Sequence, residues 1–188
     1  MSYITHLLKK RPIIPAIKEI SDLKDVPAED KIVVLLHADI SELSQAVEWA
    51  EKEDKLIFLH LDLARGIGKD REGIKYLADE IGIDGIVTTK NYLIKYAKEF
   101  NLTAIQRLFL LDSAAVKTGI KRVQESSPDL VEVLPGVIIS HVPQLQKLTT
   151  PIIAGGLINT EEEIDDVLES GAIGISTSDP HLWIYNRK

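Results

Sequence analysis

The chain has 188 residues, 45% hydrophobic and 27% charged, which is enough for one well-buried core and too short for two comfortable domains. It contains no cysteine, excluding a disulfide framework, a thiolate metal site and a cysteine nucleophile. Its 22 Lys and Arg against 29 Asp and Glu give a net charge of −7, which opposes non-specific attraction to polyanions, so any nucleic-acid binding needs a localised basic patch.

The N-terminal MSYITHLLKKRP lacks an apolar core of signal-peptide length. No apolar run approaches the roughly 20 residues of a membrane helix, so a soluble, cytoplasmic protein without membrane association is expected. Eight short runs rich in Ile, Val and Leu follow in order. They are IIPAIK (Ile13 to Lys18), IVVLLHA (Ile32 to Ala38), LIFLHLDL (Leu56 to Leu63), GIVTTK (Gly85 to Lys90), TAIQRLF (Thr103 to Phe109), LVEVLPG (Leu130 to Gly136), PIIAGGL (Pro151 to Leu157) and AIGISTS (Ala172 to Ser178). Several lack strict alternation, as expected of parallel strands covered on both faces.

The segments between the runs read as helices and turns. SDLKDVPAED is short and polar and predicts only a stub. Ser41 is expected to open SELSQAVEWAEK, Asp70 to open DREGIKYLADE, and Thr160 to open TEEEIDDVLES, whose acidic first turn suits a helix N-terminus. Gly171 is the expected stop after that last helix. Nearly every run ends in a polar or permissive residue: Lys18, His37, His60 with Asp62, Lys90, Gln106 with Arg107, Glu132, Gly155 with Gly156, and Ser176 to Ser178. Eight convergent ends suit a closed ring better than an open sheet, where only strands near a switch point are used. The expected fold is therefore α/β, a single domain over residues 1–188 forming a small TIM (β/α)8 barrel with trimmed helices and tight loops.

The Gly155-Gly156 pair can bring backbone N–H groups close to an anion with no side chain in the way. Ser176, Thr177 and Ser178 offer hydroxyls and further N–H groups at the next strand end, and the loops after strands seven and eight commonly hold phosphate in these barrels. A tight turn at the glycines and helix capping by the serines is the structural alternative. Asp62 and Glu132 are carboxylates on otherwise apolar strands, where burial is costly without a partner. They could accept hydrogen bonds from ligand hydroxyls, with Lys18, Lys90 and Arg107 balancing the charge; a structural ion-pair network is the alternative. His37 and His60 lack HxH or HExxH spacing, so no metal is expected.

There is no GxSxG, P-loop or GxGxxG, and no unmistakable catalytic set. Lys90 could form a Schiff base if burial depressed its pKa. Two basic stretches are candidate nucleic-acid patches, Lys117 to Arg122 and Lys90, Lys95 and Lys98, though spacing favours a solvated helix face for both.

PIIPAIK, HLDL, DGIVTTK, AIQRLFLLDS, SPDLVEVLPG, PIIAGGLI and GAIGISTS, with a trailing Leu182-Trp183, resemble in the same order the glycerol-3-phosphate-responsive antiterminator family of glycerol uptake operons. The resemblance runs over almost the whole chain; AIQRLFLLDS and VEVLPG are its distinctive parts. It implies a transcription regulator of glycerol metabolism that senses glycerol 3-phosphate and acts on leader mRNA so that polymerase reads through a terminator. It implies RNA binding, no turnover, and no cofactor beyond the regulatory ligand. By position, Gly155, Gly156, Ser176, Thr177 and Ser178 would take the phosphate, and Lys18, Asp62, Glu132 and Arg107 would surround the glycerol hydroxyls. The chain departs from common RNA binders in having no RNP motif, KH loop or aromatic platform. An enzyme on the same barrel, a lyase, isomerase or prenyltransferase handling a phosphorylated triose or glycerol, is the competing expectation. The loop LARGIGKDREG is the expected moving part, with Gly66, Gly68 and Gly73 permitting rearrangement and Arg65, Lys69 and Arg71 offering positive charge to RNA.

Overall fold

The computed structural model describes residues 3–185. All eight apolar runs form strands, in the order α1 (Tyr3–Lys10), β1 (Ile13–Ile17), β2 (Ile32–Leu35), α2 (Ile40–Lys52), β3 (Leu56–His60), α3 (Arg71–Tyr76), β4 (Gly85–Thr88), α4 (Asn91–Glu99), β5 (Thr103–Phe109), α5 (Ser113–Ser126), β6 (Leu130–Leu134), β7 (Ile152–Gly155), α6 (Glu161–Glu169), β8 (Gly174–Thr177) and α7 (Pro180–Trp183). Every strand is parallel to its neighbours, and β1 pairs with both β2 and β8, so the sheet closes as a TIM barrel in sequence order. Among the described residues no helix is long and apolar enough to cross a membrane.

Closure gives each strand two buried faces, which is why the runs are apolar without alternating in polarity. Ile14, Ala16, Val34, Phe58, Ile105, Leu130 and Ile153 pack inside the barrel. Their strand neighbours Ile13, Val33, Ile57, Ala104, Val131 and Ala154 belong to the larger cluster under the helices. The interior is a packed core: a Cβ on Gly85 would stand 2.1 Å from Cε1 of Phe58, so that glycine makes room for the ring. α1 was not anticipated from the sequence. Its Ile4 and Leu8, one turn apart, join the interior cluster, and Leu8 lies against Gly174 at the start of β8. The N-terminal end of the barrel is thereby covered, leaving the C-terminal end for the site.

The helix starts follow the local chemistry with one shift. Asp70 caps α3 by accepting from the Gly73 N–H at 2.9 Å, and Thr160 forms a capping box with Glu163 at α6. α2 begins at Ile40, one residue before Ser41, because Asp39 and Glu42 make the capping box there. The stub after β1 is a 3-10 turn at Ile20–Asp25. The crossover after β6 is also trimmed, to 3-10 turns at Gly136–His141 and Pro143–Lys147. Gly171 ends the α6 segment with φ +104°, a conformation that excludes most other residues.

Candidate functional site

The barrel mouth holds a cavity of about 280 Å³ at the ends of β5 to β8. Gly155, Gly156, Ser176, Thr177 and Ser178 all line it, and Arg107 and Glu132 share its wall. The parallel register explains the convergence: Gly155 stands opposite Ser176, and Arg107 opposite Glu132. The cavity lies just under the range of roughly 300–1,000 Å³ typical of drug-sized ligands, so it suits a small molecule.

The two loops differ in how they present polar groups. Gly156 and Leu157 both have left-handed backbone, with φ +71° and +57°. The N–H groups of Gly156, Leu157 and Ser178 have no protein acceptor among the described residues. Successive amides of this kind form a concavity suited to an anion. The Gly136 N–H donates to the Gly156 carbonyl at 3.1 Å and fixes the loop to the end of β6. Gly136 itself must be glycine, since a Cβ there would lie 2.9 Å from that of Ala154. This supplies a physical reason for the Pro-Gly of VEVLPG.

Gly155 has a second role that spacing did not show. A Cβ on it would stand 3.0 Å from Oε1 of Glu132, so its missing side chain is the space the carboxylate occupies. Thr177 uses its Oγ1 to accept from the Asp179 N–H at 3.1 Å, and its carbonyl accepts from Trp183 Nε1 at 2.9 Å. Ser176 is buried and Ser178 exposed. The first turn of α6 is already occupied by its own Glu161, Glu162 and Glu163, so the loop amides, rather than that helix end, offer positive potential.

Arg107 anchors the polar wall. Its Nε donates to Glu132 Oε2 at 2.5 Å, and Nη1 lies 3.2 Å from His60 Nε2, all three residues being buried. An arginine can only donate, so His60 must present a lone pair at Nε2 and carry its proton on Nδ1. Burial and then the Arg107 charge push the His60 pKa down to about 4, which keeps the ring neutral. His60 Nδ1 is buried without a hydrogen-bond partner among the described residues. Sequence reading noted His60 as a strand-end residue but not its link to Arg107. The signal is position: His60 follows the interior-facing Phe58 by two residues, so it faces the same side of β3.

The polyol candidates separate. Glu132 and Arg107 line the cavity, whereas Lys18 is exposed just past β1 and Asp62 lies outside the lining. Asp62 accepts from Thr88 Oγ1 at 2.8 Å and from Thr89 N and Oγ1 at 2.7 Å each. Burial alone would raise its pKa, but these three donors outweigh it and hold the carboxyl below the usual range. Lys90 is half-buried at the start of α4, also outside the cavity.

The glycine-rich loop is engaged within the protein. Arg65 pairs with Asp39, Lys69 Nζ donates to the Asp62 carbonyl at 2.5 Å, and Arg71 pairs with Glu99 at 2.5 Å and Glu72 at 2.9 Å. The Arg71 guanidinium also lies 4.9 Å from the centre of the Phe100 ring. A Cβ on Gly73 would approach the Gly68 carbonyl oxygen to 1.9 Å, and one on Gly66 would meet Ile40 Cγ2 at 2.8 Å. These two glycines therefore serve close packing, which opposes the loop mobility expected from them.

Comparison with known proteins identifies the lineage. The glycerol uptake operon antiterminator regulatory protein of Listeria monocytogenes is 40% identical, with a TM-score of 0.85 over 92% of this chain and 95% of that one. The glycerol uptake operon antiterminator-related protein of Thermotoga maritima is 34% identical, with a TM-score of 0.83 over 92% of this chain and 98% of its own. The uncharacterized protein YgcP of Escherichia coli is 30% identical over 187 residues, 98% of either chain. The family model for the glycerol-3-phosphate responsive antiterminator matches residues 13–183, from the first residue of β1 to the last of α7, and the chain belongs to that family.

Proposed function

We propose that the protein binds glycerol 3-phosphate in the mouth cavity and, in response, binds the leader mRNA of glycerol-utilisation genes so that polymerase reads through a terminator. The observation that carries this reading is the union, in one small cavity, of an amide-rich loop pair and a polar Arg107–Glu132 wall. The phosphate meets the N–H groups of Gly156, Leu157 and Ser178 with the Ser176 and Thr177 hydroxyls beside them. The glycerol hydroxyls donate to Glu132 and accept from the Arg107 donors that Glu132 and His60 leave unused.

The same geometry supports sensing over turnover. No lysine among the described residues lines the cavity, so Lys90 is not placed to form a Schiff base with a ligand held there. Glu132 is engaged by a guanidinium, and His60 accepts from the same group, so neither stands ready as a general base. Lys18 and Asp62 contribute to the charge of the mouth without touching the ligand.

Titration calorimetry with glycerol 3-phosphate, glycerol and inorganic phosphate tests the ligand assignment. Binding of glycerol 3-phosphate well above either fragment is expected, and no binding of it overturns the reading. Gel-shift titration of leader RNA with and without the ligand tests gating, which equal RNA affinity in both conditions would refute.

A further inference from the structure

A second cavity, of about 390 Å³, opens between the end of β5 and α5. Arg107 lies in its wall and in the wall of the ligand cavity, so one residue borders both. Phe109, the last residue of β5, lines the second cavity with 54% of its surface exposed. Arg122, on α5, lines it from the other side.

The charges here differ from those of the loop after β3. The exposed Arg122 side chain has no hydrogen-bond or ion-pair partner among the described residues, although its carbonyl receives Asn91 Nδ2 at 3.4 Å and Ser126 Oγ at 2.8 Å. The backbone is held while the guanidinium is left to solvent. Lys121, which precedes Arg122, pairs with Glu125 at 3.7 Å, and Lys90 follows Thr89, another residue of the lining. The helices that carry the two basic stretches, α4 and α5, pack against each other where Asn91 reaches the Arg122 carbonyl. The only acidic residue in the lining is Asp112, whose carboxylate accepts from the Ala115 N–H at 2.7 Å as the cap of α5.

An uncommitted cation across a groove from an exposed aromatic residue matches the chemistry of a single-stranded nucleic acid, whose phosphates need positive charge and whose unpaired bases stack on flat side chains. We infer that this groove is where single-stranded leader RNA docks, with a phosphate at Arg122 and a base on Phe109, and that Arg107 couples it to the ligand cavity. The inference rests on the proposed function for its RNA partner. A ligand that draws on Arg107 from one side changes the wall that RNA meets on the other, and the coupling is reciprocal, so RNA must raise ligand affinity by the factor by which ligand raises RNA affinity.

The test is fluorescence anisotropy with an end-labelled leader transcript, with and without glycerol 3-phosphate, for the unaltered protein, Arg122→Glu and Phe109→Ala. Each substitution is expected to weaken RNA binding about tenfold or more, in the range of a lost stacked base. Glycerol 3-phosphate affinity, read by calorimetry, should stay within about twofold of the unaltered protein. Retained ligand binding also shows that the variants are folded. As a readout on the unaltered chain, cross-linking of a 4-thiouridine-substituted transcript should modify the segment 107–122. Unchanged RNA affinity in both variants, or cross-links confined elsewhere, overturns the groove while leaving the proposed function standing. No RNA binding by the unaltered protein overturns both.

Discussion

Arg107 and Glu132 stand opposite one another on β5 and β6, joined at 2.5 Å, with side chains only 9% and 4% exposed. Such a pair is expensive to break from one side. Glu132→Ala leaves a guanidinium buried beside the neutral His60, and the expected destabilisation is about 3–5 kcal/mol. Replacing both residues, as Arg107→Met with Glu132→Leu, removes both charges and should recover most of that stability while still abolishing glycerol 3-phosphate binding. Urea unfolding and calorimetry on the three proteins check this. A Glu132→Ala variant of unchanged stability would show that the pair does not form.

The two glycines of the loop after β7, proposed to hold the phosphate, should fail in different ways. At Gly155 the added methyl would lie 3.0 Å from Glu132 Oε1, so Gly155→Ala pushes the carboxylate out of place and should weaken ligand binding more than stability. At Gly156 there is room, the nearest atom being 3.6 Å away, but φ is +71°. Gly156→Ala should therefore cost roughly 1–2 kcal/mol of stability from backbone strain alone. Its loop amides keep their positions once folded, and ligand affinity should fall little. Melting temperature and calorimetry separate the two outcomes.

Strands are easy to read because the barrel buries both faces of each, producing uninterrupted apolar runs, and the loops proposed to take phosphate are located by where β7 and β8 end. What escaped depended on partners remote in the chain. Asp62 reads as a carboxylate in need of a partner, a ligand hydroxyl or an ion pair, and the Thr88 and Thr89 hydroxyls, 26 and 27 residues later, supply it. Arg65 and Arg71 looked like an open basic loop, but Asp39 and Glu99 neutralise them from other βα units. α1 was missed for a different reason. Its apolar face is Ile4, Leu7 and Leu8 within a helix of eight residues, too short a pattern to declare itself without the barrel end it covers.

His60 should make stability depend on pH. Its pKa is about 4 folded against 6.5 for the free side chain, burial being the first cause and Arg107 the second. The stabilisation from a neutral ring is complete above pH 6.5 and is lost progressively as the pH falls toward 4, by about 3 kcal/mol in total. Asp30 and Asp84, whose pKa values burial raises, titrate with the opposite sign, since the folded form holds their protons more tightly. The test is thus a difference: unfolding free energies at pH 7, 6 and 5 for the unaltered protein and His60→Asn. The unaltered protein should lose more over that span, and parallel curves would mean His60 does not carry a suppressed charge.

The loop cations and Arg122 provide the sharpest contrast. Arg65 is exposed and paired with Asp39, an arrangement worth about 0–1 kcal/mol, so Arg65→Glu should barely change stability. Arg71→Glu should cost more, because it places a third carboxylate beside Glu72 and Glu99 and removes the contact with Phe100. For RNA the order reverses. A cation already matched by a carboxylate releases few counterions on binding, whereas an unmatched one that meets a phosphate contributes about one unit to the slope of log K against log salt concentration. Arg122→Glu should reduce that slope by about one, and Arg65→Glu should leave it nearly unchanged. Equal reductions would mean that the loop after β3 also touches the RNA backbone, and that its ion pairs open when RNA arrives.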